Sequence, residues 1–346
     1  MGVPIDSYGR AGLSCLQAAA GEGNRTLIQY FLDQGADINL PARRYRGRTV
    51  LQAAAKRGDS ELIDYLLNAG ADITAPPAKE YGESVLETVA GSRAWTKQDR
   101  SRADFFSKLL RLGAAINRPE PESRILGRLI VRADIECLKV AIQAGARIED
   151  QELKFRRGLR RSALQIASSQ LNEEALEPRF RIVKLLLSNG ANINSPAGPD
   201  YGRTALQAAV SCESPDLDII RILLEGGAEV NAKPSRISGI TALQGAAIKG
   251  EIHVARILLD HGAKINAGAA PVRGQTAVEG AAEHGRLDMV SFLLQMGATP
   301  DPVTGFSKAI ELAEKKNSWE IVDLLKESQD AFNTLAVSSS EPSAWT

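Results

Sequence analysis

The segment TALQGAAIKGEIHVARILLDHGA, residues 241–263, decides the fold. Its threonine precedes an Ala- and Leu-rich run, the pattern of an N-cap whose hydroxyl accepts from an amide left unpaired in the first helical turn. Gly250, nine residues on, suits a left-handed residue that closes a short helix. A second run, VARILLDHGA, carries one apolar stripe at helical spacing and stops at Gly262. The segment therefore predicts two short helices joined by a tight turn.

Working outward, the same opening recurs as SCLQAAA (14–20), TVLQAAA (49–55), SVLETVA (84–90), SALQIAS (162–168), TALQAAV (204–210), TAVEGAA (276–282) and SKAIELA (307–313). One more copy, RILGRLI at 124–130, emerges from the GA at 145 and 146, which follows by the 21 residues that separate Thr49 from Gly70 and Thr241 from Gly262. The copies start near 14, 49, 84, 124, 162, 204, 241, 276 and 307. Polar connectors such as NSPAGPDYGR lie between them. Their glycine two residues before the Ser or Thr, at Gly12, Gly47, Gly82, Gly202, Gly239, Gly274 and Gly305, suits a tight turn in a projecting hairpin.

These units resemble ankyrin repeats. TALQAA stands where that family has T-P-L-H-x-A-A, and GADIN matches its helix-ending signature, over about residues 9–327. The chain departs from the family by glutamine at the usual histidine, as Gln17, Gln52, Gln165, Gln207 and Gln244, and by slightly longer connectors. A glutamine there can still bridge backbone groups. The long P-A-x-x-Y-G-R connectors resemble those of ankyrin proteins of filamentous fungi. The resemblance implies an all-α ankyrin repeat solenoid of about nine helix-turn-helix units with projecting hairpin fingers, stacked into one continuous core.

On that reading residues 1–327 form a single array and 328–346 an unstructured tail. Lys315, Lys316 and Glu320 give the last copy the polar outer face of a cap. The first copy begins almost at Met1 without a capping helix, the pattern expected of the end piece of a larger protein or of a shortened gene model. Extra residues around RAWTKQDRSRAD, SSQLNEEALEP and CESPD are expected to bulge between helices as surface loops.

Composition narrows the function. Formal net charge is zero, which argues against a globally basic nucleic-acid binder. Cys15, Cys137 and Cys212 have no paired or metal-like spacing, which fits a reducing compartment. The N-terminus lacks a signal-peptide pattern, and Asp6 occupies the position where a myristoylation motif has Ser or Thr. The expected location is cytoplasmic or nuclear, not secreted, with no membrane partner. His253, His261 and His284 show no metal-binding spacing, and the glycines form no phosphate loop. No catalytic centre, metal site, cofactor or small-molecule ligand is expected. An enzyme built on the scaffold is the remotest reading.

What remains is the surface that the resemblance implies for partner binding, the finger tips and the exposed end of each first helix along the concave face. By position these are Tyr45, Arg46, Arg48, Lys56 and Arg57; Tyr81 and Glu83; Arg132; Arg161; Asp200, Tyr201 and Arg203; Lys249; and Arg273, Gln275 and His284. Tyr and Arg are frequent interface anchors. Residues 93–161 hold seventeen Lys and Arg against nine Asp and Glu, and Arg156, Arg157 and Arg160 form a remodelled basic finger tip. That field favours an acidic segment of a protein partner. The alternative is nucleic acid or another polyanion on the basic middle repeats, for which stacking aromatics are sparse: Trp95, Phe105, Phe106 and Phe155.

Overall fold

The computed structural model describes residues 4–9, 12–95, 100–117, 124–148, 161–169 and 176–339. The chain divides into two compact bodies, Met1–Glu152 and Leu153–Thr346. In the first body the helices are α1 (Cys15–Glu22), α2 (Arg25–Asp33), α3 (Val50–Arg57), α4 (Ser60–Asn68), α5 (Val85–Gly91), α6 (Arg100–Arg111), α7 (Ile125–Val131) and α8 (Ile135–Gln143). The second holds α9 (Ala163–Ser168), α10 (Leu176–Ser188), α11 (Ala205–Ser211), α12 (Leu217–Glu225), α13 (Ala242–Lys249), α14 (Ile252–Asp260), α15 (Ala277–Glu283), α16 (Leu287–Gln295), α17 (Ser307–Lys315) and α18 (Trp319–Ser339).

Each repeat contributes an inner and an outer helix. The inner ones are buried almost all round: in α13 every residue from Ala242 to Ala247 is inaccessible, so small side chains are needed there. The outer ones bury a single stripe, Leu62, Ile63 and Leu66 in α4. Inner helices pack on inner helices of the next repeat, and outer on outer, within each body.

The expected N-caps form with one addition. Thr241 Oγ1 accepts from the Gln244 amide at 3.2 Å, while Gln244 Oε1 accepts from the Thr241 amide at 2.9 Å, a closed capping box. The same side chain then donates from Nε2 to the carbonyls of Ala267 and Gly268, at 3.1 and 3.0 Å, in the following connector. Gln17 reaches Leu40, Gln165 reaches Ser195 and Pro196, and Gln207 reaches Ala232 in the same way. These four glutamines thus bridge backbone groups of their own caps and of the next connectors, whereas Gln52 closes its capping box but its buried Nε2 reaches no connector carbonyl.

A second tie crosses several of the repeat boundaries. The asparagine of the GADIN signature donates to the carbonyl of the next helix-ending glycine and accepts from the amide two residues beyond it. Asn39 holds Gly70 and Asp72 at 3.0 and 2.7 Å, Asn194 holds Gly227 and Glu229, and Asn231 holds Gly262 and Lys264. Asp6 accepts from the Asp37 amide in the equivalent place.

The fingers are tight turns linked side by side by isolated parallel bridges, Tyr45 with Glu80, Asp200 with Ile237, and Ile237 with Val272. Their glycine is required for space. A Cβ on Gly202 would stand 2.2 Å from the Gly198 nitrogen, and Gly47, Gly82, Gly239 and Gly274 meet backbone equally closely. The left-handed residue is the one before it: Arg46, Tyr81, Tyr201, Ser238 and Arg273 have φ between 49° and 60°.

Three features differ from the sequence reading. The α18 helix continues to Ser339 where composition predicts a tail from 328, because Gln329 Oε1 accepts the Phe306 amide at 2.8 Å and anchors the extension; residues 340–346 lie outside the described part. That amide belongs to the N-cap of α17, so Phe306, not Ser307, occupies the cap, and the partner comes from another helix. The insertion after α5 also enters the core. Trp95 is buried, stacks on Phe105 at 5.1 Å and donates from Nε1 to the Ala55 carbonyl at 3.0 Å.

Replacing Gln244 by leucine leaves the Thr241 amide and two connector carbonyls unpaired and should lower stability by about 2 to 4 kcal/mol. Urea unfolding of the full chain checks this, and an unchanged midpoint would refute the bridging role.

Candidate functional site

In the first body the parallel bridge sets neighbouring finger tips against each other. The Tyr45 and Tyr81 rings meet edge to face at 5.7 Å, and the Arg46 guanidinium lies over both, at 5.3 and 5.5 Å. The rings remain 56% and 66% exposed. Arg44 pairs with Glu80 at 2.9 Å beside them, and Arg43 covers the Tyr8 ring. A left-handed backbone costs a non-glycine residue about 1 to 2 kcal/mol. Arg46 and Tyr81 adopt it while presenting their side chains to solvent.

Below the finger tips Arg48, Lys56 and Glu83 gather around one carboxylate. Burial pushes the Glu83 carboxyl up, but a hydrogen bond from Arg128 Nη2 at 2.5 Å and the charges of Arg128, Lys56 and Arg48 outweigh it, holding Glu83 below its ordinary range. Arg128 also donates to the Glu87 carbonyl at 2.8 Å. Arg57 folds over Gly23, where a Cβ would come within 2.3 Å of Nε. Arg132 turns inward and donates to the Trp95 carbonyl at 2.8 Å, and burial lowers its pKa.

Sequence reasoning overlooked Arg128, although the repeat alignment carries a signal. The same position is Ala53, Thr88, Ala208 and Gly245 in other copies, so a long cation there is anomalous. It also accompanies an anomaly in the preceding repeat, where Glu87 replaces the bridging glutamine. A carboxylate cannot donate to a connector carbonyl; instead Glu87 Oε1 accepts from the Arg124 amide at 3.2 Å.

In the second body Arg161 and Arg203 both stand directly before an N-cap. Burial lowers the pKa of each, and the charge of Arg161 lowers that of Arg203 further. At the finger tips Asp200 pairs with Arg236 at 3.4 Å, Tyr201 is half-buried and Arg273 is exposed. Further along, Gln275 donates to Glu283, His284 Nδ1 lies 3.0 Å from the Gly280 carbonyl, and Lys249 is half-buried. Glu279 replaces the bridging glutamine in this repeat and pairs with Lys308 at 2.8 Å.

The predicted residues therefore form a cluster of Tyr45, Arg46, Tyr81, Arg48, Lys56 and Glu83 in one body and a row from Arg161 to His284 in the other. Arg156, Arg157 and Arg160 lie outside the described residues. A cleft of about 190 Å³ between Thr276, Glu279, Asp301 and Lys308 is smaller than the ~300 to 1,000 Å³ of sites for drug-sized ligands. Among the described residues no group of three or more His, Cys, Asp or Glu could hold a metal ion, and no helix is long and apolar enough to cross a membrane.

Because Glu83 has a depressed folded-state pKa, its contribution to stability is present above the ordinary value of 4.5 and is lost as pH falls through the lower folded value. Glu83→Gln should cost about 1 kcal/mol at pH 7 and weaken the fall in stability below pH 4.5, measured by urea unfolding at both pH values. An identical pH profile in the variant would contradict the ion cluster.

A family model described as ankyrin repeats (3 copies) matches residues 2–77, 128–234 and 232–304. Among solved structures the human ASB11 ankyrin repeat domain is similar with a TM-score of 0.52 at 22% identity, over 72% of this chain and 99% of that one, a likeness of fold. No curated protein matches the chain. Ankyrin repeats are generally protein–protein interaction modules and typically non-enzymatic. With more than half of its length matched by the family model, on helices paired as the repeats require, the chain belongs to the ankyrin repeat family.

Proposed function

We propose that the chain is a non-enzymatic scaffold that holds another protein on the face formed by its finger tips and inner helices, the concave face of an ankyrin array. The observation that carries this reading is the Tyr45, Arg46 and Tyr81 cluster: large aromatic and guanidinium groups stacked together and left exposed at the finger tips. In the second body the partly buried Arg203 supports a partner with an acidic segment, since a desolvated guanidinium gains from a carboxylate beside it.

Nucleic acid is the poorer fit on this surface. Base stacking needs open aromatic faces. Trp95, Phe105 and Phe106 of the basic region are buried, and Phe155 lies outside the described residues.

Photo-crosslinkers placed separately at Tyr81, Arg273, Glu61 and Lys184 test the face in cell extract. Products should form at the first two positions, on finger tips, and not at Glu61 and Lys184, on outer helices; the reverse pattern would overturn the assignment. A labelled decaglutamate peptide tests the chemistry. Its binding should weaken as salt rises and fall at least about tenfold in Arg203→Glu, roughly 1.4 kcal/mol. Decaglutamate that fails to bind while heparin binds with a steep salt slope would favour the polyanion reading instead.

A further inference from the structure

Of the three repeats with insertions between their helices, two place an arginine eleven residues before the glycine that ends the outer helix: Arg102 before Gly113, and Arg179 before Gly190. Both side chains are buried, at 2% and 6% exposure. Arg102 has a carboxylate partner, although its Nε is buried without a hydrogen bond. Its Nη1 pairs with Asp134 at 2.9 Å, and its Nη2 donates to the carbonyls of Val89 and Ala90 at 2.8 and 3.0 Å.

Arg179 has no such surroundings. Its Nε and Nη1 are buried without a hydrogen-bond partner, and its Nη2 points at the sulfur of Cys212, 3.7 Å away. Cys212 caps the end of α11 and is half-buried; its Sγ also lies 3.0 Å from the Ala209 carbonyl and 3.4 Å from that of Ser214. A buried guanidinium without an anion is costly, and a thiol is a weak acceptor. The position that a carboxylate fills beside Arg102 is filled beside Arg179 by sulfur.

We propose that Cys212 is a modification site, oxidised by hydrogen peroxide to a sulfenic acid that Arg179 holds. The sulfur attacks one peroxide oxygen, the O–O bond breaks, and the departing hydroxide takes the thiol proton to leave as water. Sulfur loses two electrons and the peroxide gains them. The new oxygen on Sγ comes within reach of the Arg179 N–H groups and supplies the acceptor they lack. A small-molecule thiol reverses the step: it displaces the sulfenic oxygen as water to give a mixed disulfide, and a second thiol molecule releases Cys212 reduced.

The chain contains its own controls. Cys15 is exposed, and Cys137 is buried, its thiol pushed up to about 12 by burial and by Asp134. The folded full-length protein is treated with peroxide in the presence of dimedone, and adducts on the three cysteines are followed by mass spectrometry. Cys212 should label at least about tenfold faster than Cys15 despite its lower exposure, Cys137 should not label, and the preference should vanish in denaturant. Labelling of Cys212 no faster than Cys15 in the folded protein overturns the proposal without any variant. Arg179→Lys should retain the preference and Arg179→Met should abolish it with the fold intact by circular dichroism. An undiminished preference in folded Arg179→Met also overturns it.

Discussion

A single amide side chain at the start of four inner helices, α1, α9, α11 and α13, ties neighbouring repeats together. The glutamine accepts from the N-cap amide and donates to carbonyls of the following connector, so one residue completes a helix end and fixes the finger leaving for the next repeat. Repeats whose inner helices have only six to nine residues cannot stand alone, and their stability comes from such neighbour-to-neighbour terms. The asparagine tie at the other end of each repeat works in parallel. Together they fix both ends of the inner and outer helices to the adjoining unit.

The two repeats with glutamate at this position show how the constraint reaches the surface. Glutamate at 87 or 279 keeps the acceptor half of the bridge and loses the donor half, so the carboxylate must be met by groups of the next repeat. Arg124 and Lys308 meet it. Arg128, brought in at the same boundary, also grips Glu83, the carboxylate on which the charges of Arg48 and Lys56 act as well. Part of the charge on the proposed binding face is thus a consequence of how the repeats are joined. The finger tips differ: the glycine is fixed by backbone contact, while the residue before it is Arg46, Tyr81, Tyr201, Ser238 or Arg273. That position is constrained in backbone and open in side chain, which is where an interaction surface can vary without touching the core.

Periodicity made the fold legible. The Ser and Thr caps, the inner helices and the bridging role of Gln17, Gln165, Gln207 and Gln244 all follow from one repeated local pattern, so they could be read without coordinates. The finger glycines were located correctly by spacing, but their reason is steric contact four residues back, which spacing does not reveal. Contacts that break the period were not legible. Trp95 and Arg102 lie in an insertion whose composition reads as surface, yet Trp95 closes over the end of α3 and Arg102 over the end of α5. The extension of α18 depends on Gln329 meeting an amide twenty-three residues away. Of the candidate face, the clustering of Arg48, Lys56 and Glu83 followed from register, whereas Arg128, which organises them, sits in the most divergent copy.

Native-state hydrogen exchange at the N-cap amides of Ser14, Ser162, Thr204 and Thr241 tests the bridging account most directly. An N-cap amide has no partner within its own helix and ordinarily exchanges quickly. Here each donates to a buried glutamine at 3.0 Å or, for Thr241, 2.9 Å, and should exchange as slowly as the amides in the middle of the same inner helix. Exchange of these four amides at the rate of open loops, with the helix interiors still protected, would contradict the claim that the glutamine bridges hold the repeats together.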